Sequence, residues 1–387
     1  MDASTSTAPA RTKAGKSTKV ASSSTPPLGK FLASSEKHVR DKAVASLSRF
    51  LSAGRLTRPA RGKQAQEGAE GDEDEQGEDL PVGELNWGED WEVDSRLAPL
   101  EMAKLWKGIF FCFWMSDKPL VQQALADSLA NLTLDVRPKS KTRNGRVERF
   151  RAALCYLRGF WEAVTREWAG LDRLRLDKFL LLCRRFINVG MQLLQREQWD
   201  ERAVAEYNAM LVGPGGPLNV EDPKLPHSLP YHVADIFLTE VERLATSTLE
   251  SSSPLEAESS TPVSRSIPVA SLLGPFYSSL AVCPTTTMFT RFTDEVFTPL
   301  LDAALPPAPQ PPAKRRKGAA KPRRPEYPGT LALAVEGEGA AGEEAAGEKL
   351  GKAVLKRLFE EGGKAETSDV NRRRIYAYVS ARDVDLD

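Results

Sequence analysis

Carboxylate, histidine and cysteine side chains most often carry catalysis or bind metals, and in this chain they are few and scattered. Asp172 and Asp177 lie close enough in sequence for two carboxylates to share acid and base roles. They alternate with Arg173, Arg175 and Lys178, so ion pairs along one helix are the preferred interpretation. The chain has no GxxxxGK[ST], GxSxG or HExxH motif and no GxGxxG motif after a predicted strand. We therefore predict no catalytic residue, no cofactor and no metal site.

The cysteines and histidines give no metal-binding pattern either. The cysteines form no CxxC pair, and Cys112, Cys155 and Cys183 lie in apolar helical patterns. Reduced, buried thiols are the expected state of all four cysteines, Cys283 included. His232 follows Pro230 at a predicted helix start, where a cap or a core contact is the expected role.

Basic residues are concentrated in one stretch of the chain. From Arg137 to Arg185 there are fourteen Lys or Arg against five Asp or Glu, although the whole chain carries no net charge. A flexible basic loop can follow a phosphate backbone without reading its sequence. Solvated helix faces are the alternative explanation. We take as RNA-binding candidates Arg137, Lys139, Lys141, Arg143, Arg146, Arg173, Arg175, Arg184 and Arg185.

A second basic cluster follows a proline-rich segment. Its position in an extended stretch favours a nuclear localisation signal that a nuclear import receptor can reach. A further RNA-contacting tail is the alternative. The cluster consists of Lys314, Arg315, Arg316, Lys317, Lys321, Arg323 and Arg324.

The elements that must position these residues are helices. Apolar residues recur at three- and four-residue steps, and no strand pattern of any length occurs. Trp106, Trp114, Trp161 and Trp168 lie on such stripes, which favours core packing over stacking on RNA bases. Successive helix pairs with short turns predict an all-α fold, either a HEAT- or armadillo-like α-solenoid or a compact helical bundle.

Composition divides the chain into ordered and disordered parts. We expect a helical domain over residues 29–302 and closing helices over residues 346–387. Disorder is expected in the basic arm 1–28, the acidic insertion 54–95, the Ser/Pro linker 250–266 and the Pro/basic segment 303–345. The N-terminus lacks the apolar region of a secretory signal, and no apolar run is long enough for a transmembrane helix. We therefore expect no membrane partner.

Several long runs resemble the ribosomal RNA-processing protein 1 family. The similar runs begin with Leu100 to Phe110 and Trp114 to Pro119, and continue with Arg158 to Trp161 and Asp172 to Phe179. Tyr231 to Leu238 is similar to a later helix of the family, Ser34 to Ala43 to its first helix, and Asp369 to Tyr376 to its closing segment. The resemblance covers roughly residues 29–53, 96–248, 268–302 and 346–380.

The resemblance implies a nuclear and nucleolar assembly factor with an all-helical, repeat-like fold. It further implies a role in early precursors of the large ribosomal subunit, in processing of the internal spacer between the 5.8S and 25S/28S RNA. The expected partners are pre-ribosomal RNA and other large-subunit assembly factors. A protein-only helical scaffold or regulatory subunit is the alternative. A continuous basic surface over residues 137–185 would favour RNA binding, whereas pairing with acids of facing helices would favour the alternative.

Overall fold

The computed structural model describes residues 31–53, 99–137, 145–251, 266–305, 327–334 and 343–382, apart from positions 33 and 35. The helices of the first half are α1 (Lys37–Ala53), α2 (Pro99–Trp114), α3 (Pro119–Asp135), α4 (Gly145–Glu167), α5 (Arg173–Arg196), α6 (Glu201–Val212) and α7 (Ser228–Glu250). Those of the second half are α8 (Val269–Leu272), α9 (Gly274–Val282), α10 (Thr286–Phe292), α11 (Thr298–Ala304), α12 (Pro328–Leu333), α13 (Glu343–Gly363) and α14 (Asp369–Ser380). A π-helical turn, Thr293–Phe297, joins α10 to α11.

Short polar side chains begin several helices. The Asp172 carboxylate accepts the Arg175 backbone N–H at 3.0 Å and starts α5. Asp200 accepts the Arg202 and Ala203 backbone N–H groups and starts α6. Such caps satisfy backbone donors that have no partner within the helix. Local side chains therefore determine where these helices begin.

The helices lie in two layers, and successive helices alternate between them. In the second layer, which contains α3, α5 and α7, neighbouring helices run in the same direction. Near the start of α5, Lys178 Nζ donates to the Ser116 carbonyl on the α2–α3 turn at 2.8 Å. Near the end of α5, Arg196 Nη1 donates to the Leu134 carbonyl of α3 at 3.0 Å. The start of α3 therefore lies beside the start of α5, and the two ends also meet.

The same order continues along the second layer. His232 Nε2 of α7 lies 2.9 Å from the Leu180 carbonyl of α5, and near the other ends of the two helices Gln195 donates to Thr248 Oγ1 at 2.8 Å. Arg291 of α10 pairs with Asp235 of α7 at 2.7 Å. Arg382, just after α14, pairs with Asp302 of α11 at 2.6 Å.

The first layer has the same parallel arrangement. Arg151 of α4 pairs with Glu206 of α6 at 2.8 Å, and Thr165 donates to the Gly215 carbonyl at 3.2 Å. Asn208 of α6 donates to the Ser271 carbonyl of α8 at 2.8 Å. Two layers of parallel helices joined by short turns form an α-solenoid, which confirms the predicted fold class.

One continuous apolar core lies between the layers. Trp106 and Trp161 are each 1% exposed, and Trp168 is also buried, which confirms their predicted core role. Trp114 is half-buried and lies at the layer end. Gly159 permits the close approach of α2 and α4, because a Cβ there would clash with Trp106 Cδ1.

The segment 303–345, predicted to be disordered, contains a short helix. Residues Pro328–Leu333 of this segment form α12, and the Glu242 carboxylate of α7 accepts the Gly329 and Thr330 backbone N–H groups at 2.9 and 2.8 Å. A parallel bridge also joins Ile267 to Ala334. The capping partner comes from a distant helix, so the local proline-rich composition gave no sign of it.

Candidate nucleic-acid interface

The basic loop predicted to contact RNA begins where α3 ends. Arg137 is exposed, and its backbone N–H donates to the Leu51 carbonyl at the end of α1 at 2.9 Å. Lys139, Lys141 and Arg143 lie outside the described residues. Arg137 therefore places the start of the loop at the end of the second layer, between α1 and α5.

Arg146, at the other side of the loop, is held by a buried carboxylate. Its Nε lies 2.9 Å from Glu197 Oε2, and its Nη2 donates to the Arg196 carbonyl at 3.2 Å. The Glu197 side chain is 2% exposed and also pairs with Arg196 at 2.9 Å. Arg146 therefore connects the start of α4 to the end of α5, and its charge is paired with the buried Glu197 carboxylate.

An unusual backbone turn presents Glu197 to these arginines. Gln198 and Trp199 both adopt left-handed conformations, with φ of 56° and 58°. A bulky residue rarely adopts this conformation, so the surrounding contacts must stabilise it. Trp199 is buried, and its backbone N–H donates to the Leu194 carbonyl at 2.9 Å. The turn between α5 and α6 thus fixes the base of the basic loop.

Two arginines in the middle of α5 also serve contacts between helices. Arg184 Nε lies 3.1 Å from Glu240 Oε1 of α7, and Arg185 Nε lies 2.6 Å from Asp127 Oδ1 of α3. The Glu240 side chain is fully buried and accepts from Asn188 Nδ2 at 2.9 Å. Among the described residues no donor is aligned with Glu240 Oε1, so the Arg184 contact is an ion pair without an aligned hydrogen bond. Both arginines lie in one row of charged contacts from α3 across α5 to α7.

The start of α5 holds the remaining candidates. Arg175 pairs with the Asp172 carboxylate, and its guanidinium lies 4.8 Å from the centre of the Trp114 ring. The pairing, which lowers the pKa of Asp172, supports the ion-pair interpretation of Asp172. Asp177 is exposed. Arg173 is exposed too, at the end of the layer opposite Arg137.

The described candidates do not form one basic surface. Arg173 starts α5, whereas Arg137 lies beside its end, and a helix of this length separates them by about 35 Å. Arg146, Arg175, Arg184 and Arg185 lie between or beside carboxylates. Most of the described candidate arginines between Arg137 and Arg185 therefore form ion pairs along or between these helices.

Lys178 is a buried cation that the sequence alone did not single out for packing. Its Nζ donates to the Trp114 and Ser116 carbonyls at 2.6 and 2.8 Å and lies 3.7 Å from Asp117. Burial lowers the pKa of Lys178, and Asp117 opposes that shift. Lys178 joins the α2–α3 turn to α5 and is not presented to a ligand.

The candidate chemical groups are placed for packing as well. Burial raises the pKa of the Cys112, Cys155 and Cys283 thiols to about 11, so these thiols stay protonated at neutral pH. Cys112, Cys183 and Cys283 are buried and Cys155 is half-buried, in agreement with the prediction of structural thiols. His232 is half-buried and lies against the Leu180 carbonyl of α5, so it serves a packing contact between helices. Within the described ranges, no group of three or more His, Cys, Asp or Glu side chains is placed to hold a metal ion.

The two layers of parallel helices place the chain in the class of helical-repeat proteins. Comparison with known sequences gives the family. A profile described as "Nucleolar protein, Nop52" matches residues 23–326, so the chain belongs to this family of nucleolar proteins, and the protein is nucleolar. None of the helices within the described ranges is long and apolar enough to cross a membrane.

Several similar proteins are named for ribosomal RNA processing, and they confirm the family resemblance seen in the sequence. Human ribosomal RNA processing protein 1 homolog B is 28% identical over 213 residues, which cover 55% of this chain and 22% of the human protein. Human homolog A is 33% identical over 146 residues, covering 37% of this chain and 28% of that protein. The Drosophila melanogaster homolog is 30% identical over 147 residues, or 38% of this chain and 19% of that protein. The match therefore spans less than a third of each of these relatives.

Proposed function

We propose that the protein is a nucleolar assembly factor that acts on precursors of the large ribosomal subunit. In this role it supports processing of the internal spacer between the 5.8S and 25S/28S RNA, as a non-enzymatic scaffold that binds pre-ribosomal RNA and other assembly factors. The observation that carries the proposal is the family match over residues 23–326, together with relatives named for ribosomal RNA processing. A two-layer solenoid supports it, since such folds offer long surfaces to several partners.

The loop from Arg137 to Arg143 remains our proposed RNA contact. Arg137 is exposed at the layer end, and a loop with closely spaced cations can neutralise consecutive phosphates. Arg146, Arg175, Arg184 and Arg185 are weaker candidates than the sequence suggested, because each pairs with a carboxylate. Arg173 is exposed and remains a separate candidate at the opposite layer end.

A protein-only scaffold is the second candidate function. The pairing of Arg184 with Glu240 and of Arg185 with Asp127 favours it, since these cations are partly neutralised by facing helices. Under this alternative the chain joins its partners through protein surfaces and makes no direct RNA contact. Import through the basic cluster Lys314 to Arg324 is part of both proposals, and that cluster lies outside the described residues.

The deciding experiment is affinity purification of the tagged protein from growing cells, with sequencing of crosslinked RNA. The test variant changes Arg137, Lys139, Lys141 and Arg143 to Glu and keeps Arg146, because reversing Arg146 would place a like charge beside buried Glu197. The matched control changes four exposed cations elsewhere to Glu: Lys104, Arg202, Lys349 and Lys356.

We expect the wild type and the control to recover large-subunit precursor RNA that contains the internal spacer. The loop variant should lose most of the direct crosslinks. Equal crosslinking by the loop variant and the control would remove the loop as a main contact. Recovery of precursor particles without any crosslink to the wild type would favour the protein-only scaffold, and recovery of protein partners without precursors would overturn the ribosomal role.

A further inference from the structure

A groove opens at the end of the first layer that lies opposite the basic loop at Arg137. It lies between the loop that joins α6 to α7, the end of α9 and the end of α13, and its volume is about 300 Å³. This volume is at the lower end for ligand sites and suits a few side chains rather than a whole helix. The apolar part of its lining consists of Val212, Leu218, Val220, Ala281 and Val282.

The charged lining of the groove is predominantly acidic. It contains Glu221, Glu361 and Glu366, with Lys364 as the basic member. Lys364 Nζ lies 2.6 Å from Glu361 Oε2, so these two charges balance. Glu221 and Glu366 are exposed, and neither pairs with a basic side chain in the part of the chain that the structure describes. The groove therefore presents net negative charge beside an apolar floor.

The walls of the groove are fixed by hydrogen bonds. Leu218 donates its backbone N–H to the Leu211 carbonyl at 2.9 Å, and its own carbonyl accepts from Ser279 Oγ at 3.1 Å. On the opposite wall, the Ser368 backbone N–H donates to the Ala281 carbonyl at 3.1 Å, and Asn371 Nδ2 donates to the same carbonyl at 3.2 Å. A wall that is already ordered costs little entropy when a ligand binds.

We propose that this groove is a docking site for an extended, lysine- and arginine-rich segment of a partner protein. Small apolar side chains of the segment would contact the floor at Val220 and Val282, and its cations would pair with Glu221 and Glu366. Charge complementarity identifies this occupant, because the same carboxylates repel the phosphates of RNA. The inference deepens the proposed function, since it gives the scaffold a protein-binding site separate from the RNA-binding loop.

Fluorescence anisotropy with the full chain tests the proposal at an ionic strength of about 0.15 M. The probe is a short labelled peptide in which Lys or Arg alternates with Val, Pro and Ala. The test variant is Glu221→Gln with Glu366→Gln, which removes charge without changing side-chain size. The matched control is Glu250→Gln with Asp177→Asn, two exposed carboxylates outside the groove.

We expect the groove variant to bind the peptide at least about tenfold more weakly, which corresponds to about 1.4 kcal/mol, and the control to bind like the wild type. Labelled oligouridylate, titrated without the peptide, should bind the groove variant and the wild type alike. Equal peptide affinity of the groove variant and the wild type would overturn the proposal, as would weaker RNA binding by the groove variant.

A third variant tests whether the chain's own basic segment is the occupant instead. It changes Lys314, Arg315, Arg316, Lys317, Lys321, Arg323 and Arg324 to Gln. Unchanged peptide affinity supports a partner segment, whereas a large gain in affinity would show that the chain fills its own groove and would overturn the partner as the occupant. The loop variant at Arg137 to Arg143 should keep full peptide affinity, so failure of the RNA proposal and failure of the groove proposal give different results.

Discussion

The contact region between α5 and α7 and the groove at the end of the first layer both contain carboxylates, but they use them differently. Between α5 and α7, Glu240 is fully buried and meets Arg184 and Asn188. In the groove, Glu221 and Glu366 face solvent, although the lining also contains the balanced pair Glu361 and Lys364. A buried charge with partners fixes the register of neighbouring helices, whereas an exposed charge is free to meet a ligand. Charge density along the sequence does not separate these two uses.

The largest effect should come from the core on which both regions depend. Trp161→Ala removes a side chain that is 1% exposed and whose ring centre lies 4.7 Å from that of Phe160. We expect the free energy of unfolding to fall by about 3–5 kcal/mol, measured by chemical denaturation. Leu174→Ala is the control, since Leu174 is 92% exposed. An equal free energy of unfolding for the Trp161 variant and the wild type would contradict a core role for this ring.

The second prediction tests whether buried Glu240 stabilises the contact between α5 and α7. Glu240→Gln leaves Arg184 without its carboxylate, while the amide can still meet Asn188. Glu240 is fully buried but Arg184 is 34% exposed, so solvent still screens the arginine that is left behind, and we expect a loss of about 1–2 kcal/mol in the free energy of unfolding.

Glu250 provides the matched control for Glu240, because it is an exposed glutamate at the end of the same helix. Glu250→Gln should unfold at nearly the same denaturant concentration as the wild type. A similar, small effect of both substitutions would show that the Glu240 network does not hold α5 and α7 together.

The helices were predictable because their signals are local. The helix α5 begins directly after Asp172, a residue type that caps helices, and this cap closely follows the turn at Gly170. Apolar residues at helical spacing also predicted the core positions of Trp106 and Trp161. Local signals therefore decided which segments are helical and which side of each helix is buried.

The charged contacts could not be read in the same way. Arg184 meets Glu240 on a separate helix, and Arg146 meets Glu197 across the whole of α4 and α5. Only the stacking of the layers brings these groups together, so the sequence overstated the free positive charge of the stretch. The groove was missed for the same reason, because Glu221 and Glu366 lie far apart in the chain. The predicted contacts of Lys139, Lys141 and Arg143 with RNA stay predictions.

The third prediction concerns pH and the same α5–α7 contact. Burial lowers the pKa of His232, and Arg184 adds to that shift, while the Leu180 carbonyl and Asp235 oppose it. The unfolded chain therefore binds this proton more tightly than the folded chain. The stabilising contribution is complete above the unfolded pKa of about 6.5 and is lost as the pH falls from there towards the folded pKa.

Denaturation between about pH 7.5 and 5.5 should reveal this contribution. His232→Gln should reduce the loss of stability on acidification relative to the wild type. His227→Gln, at an exposed histidine next to α7, is the control and should keep the wild-type dependence. The same slope in all three proteins would exclude His232 as a source of the acid sensitivity.

The smallest effect on stability is expected for the two exposed carboxylates of the groove. Glu221→Gln with Glu366→Gln should change the free energy of unfolding by no more than about 0.5 kcal/mol, since both carboxylates are exposed. A loss as large as that of Glu240→Gln would show instead that the groove carboxylates hold the fold, as Glu240 does. The groove would then be part of the packing, and its charge would give no reason to expect a basic partner.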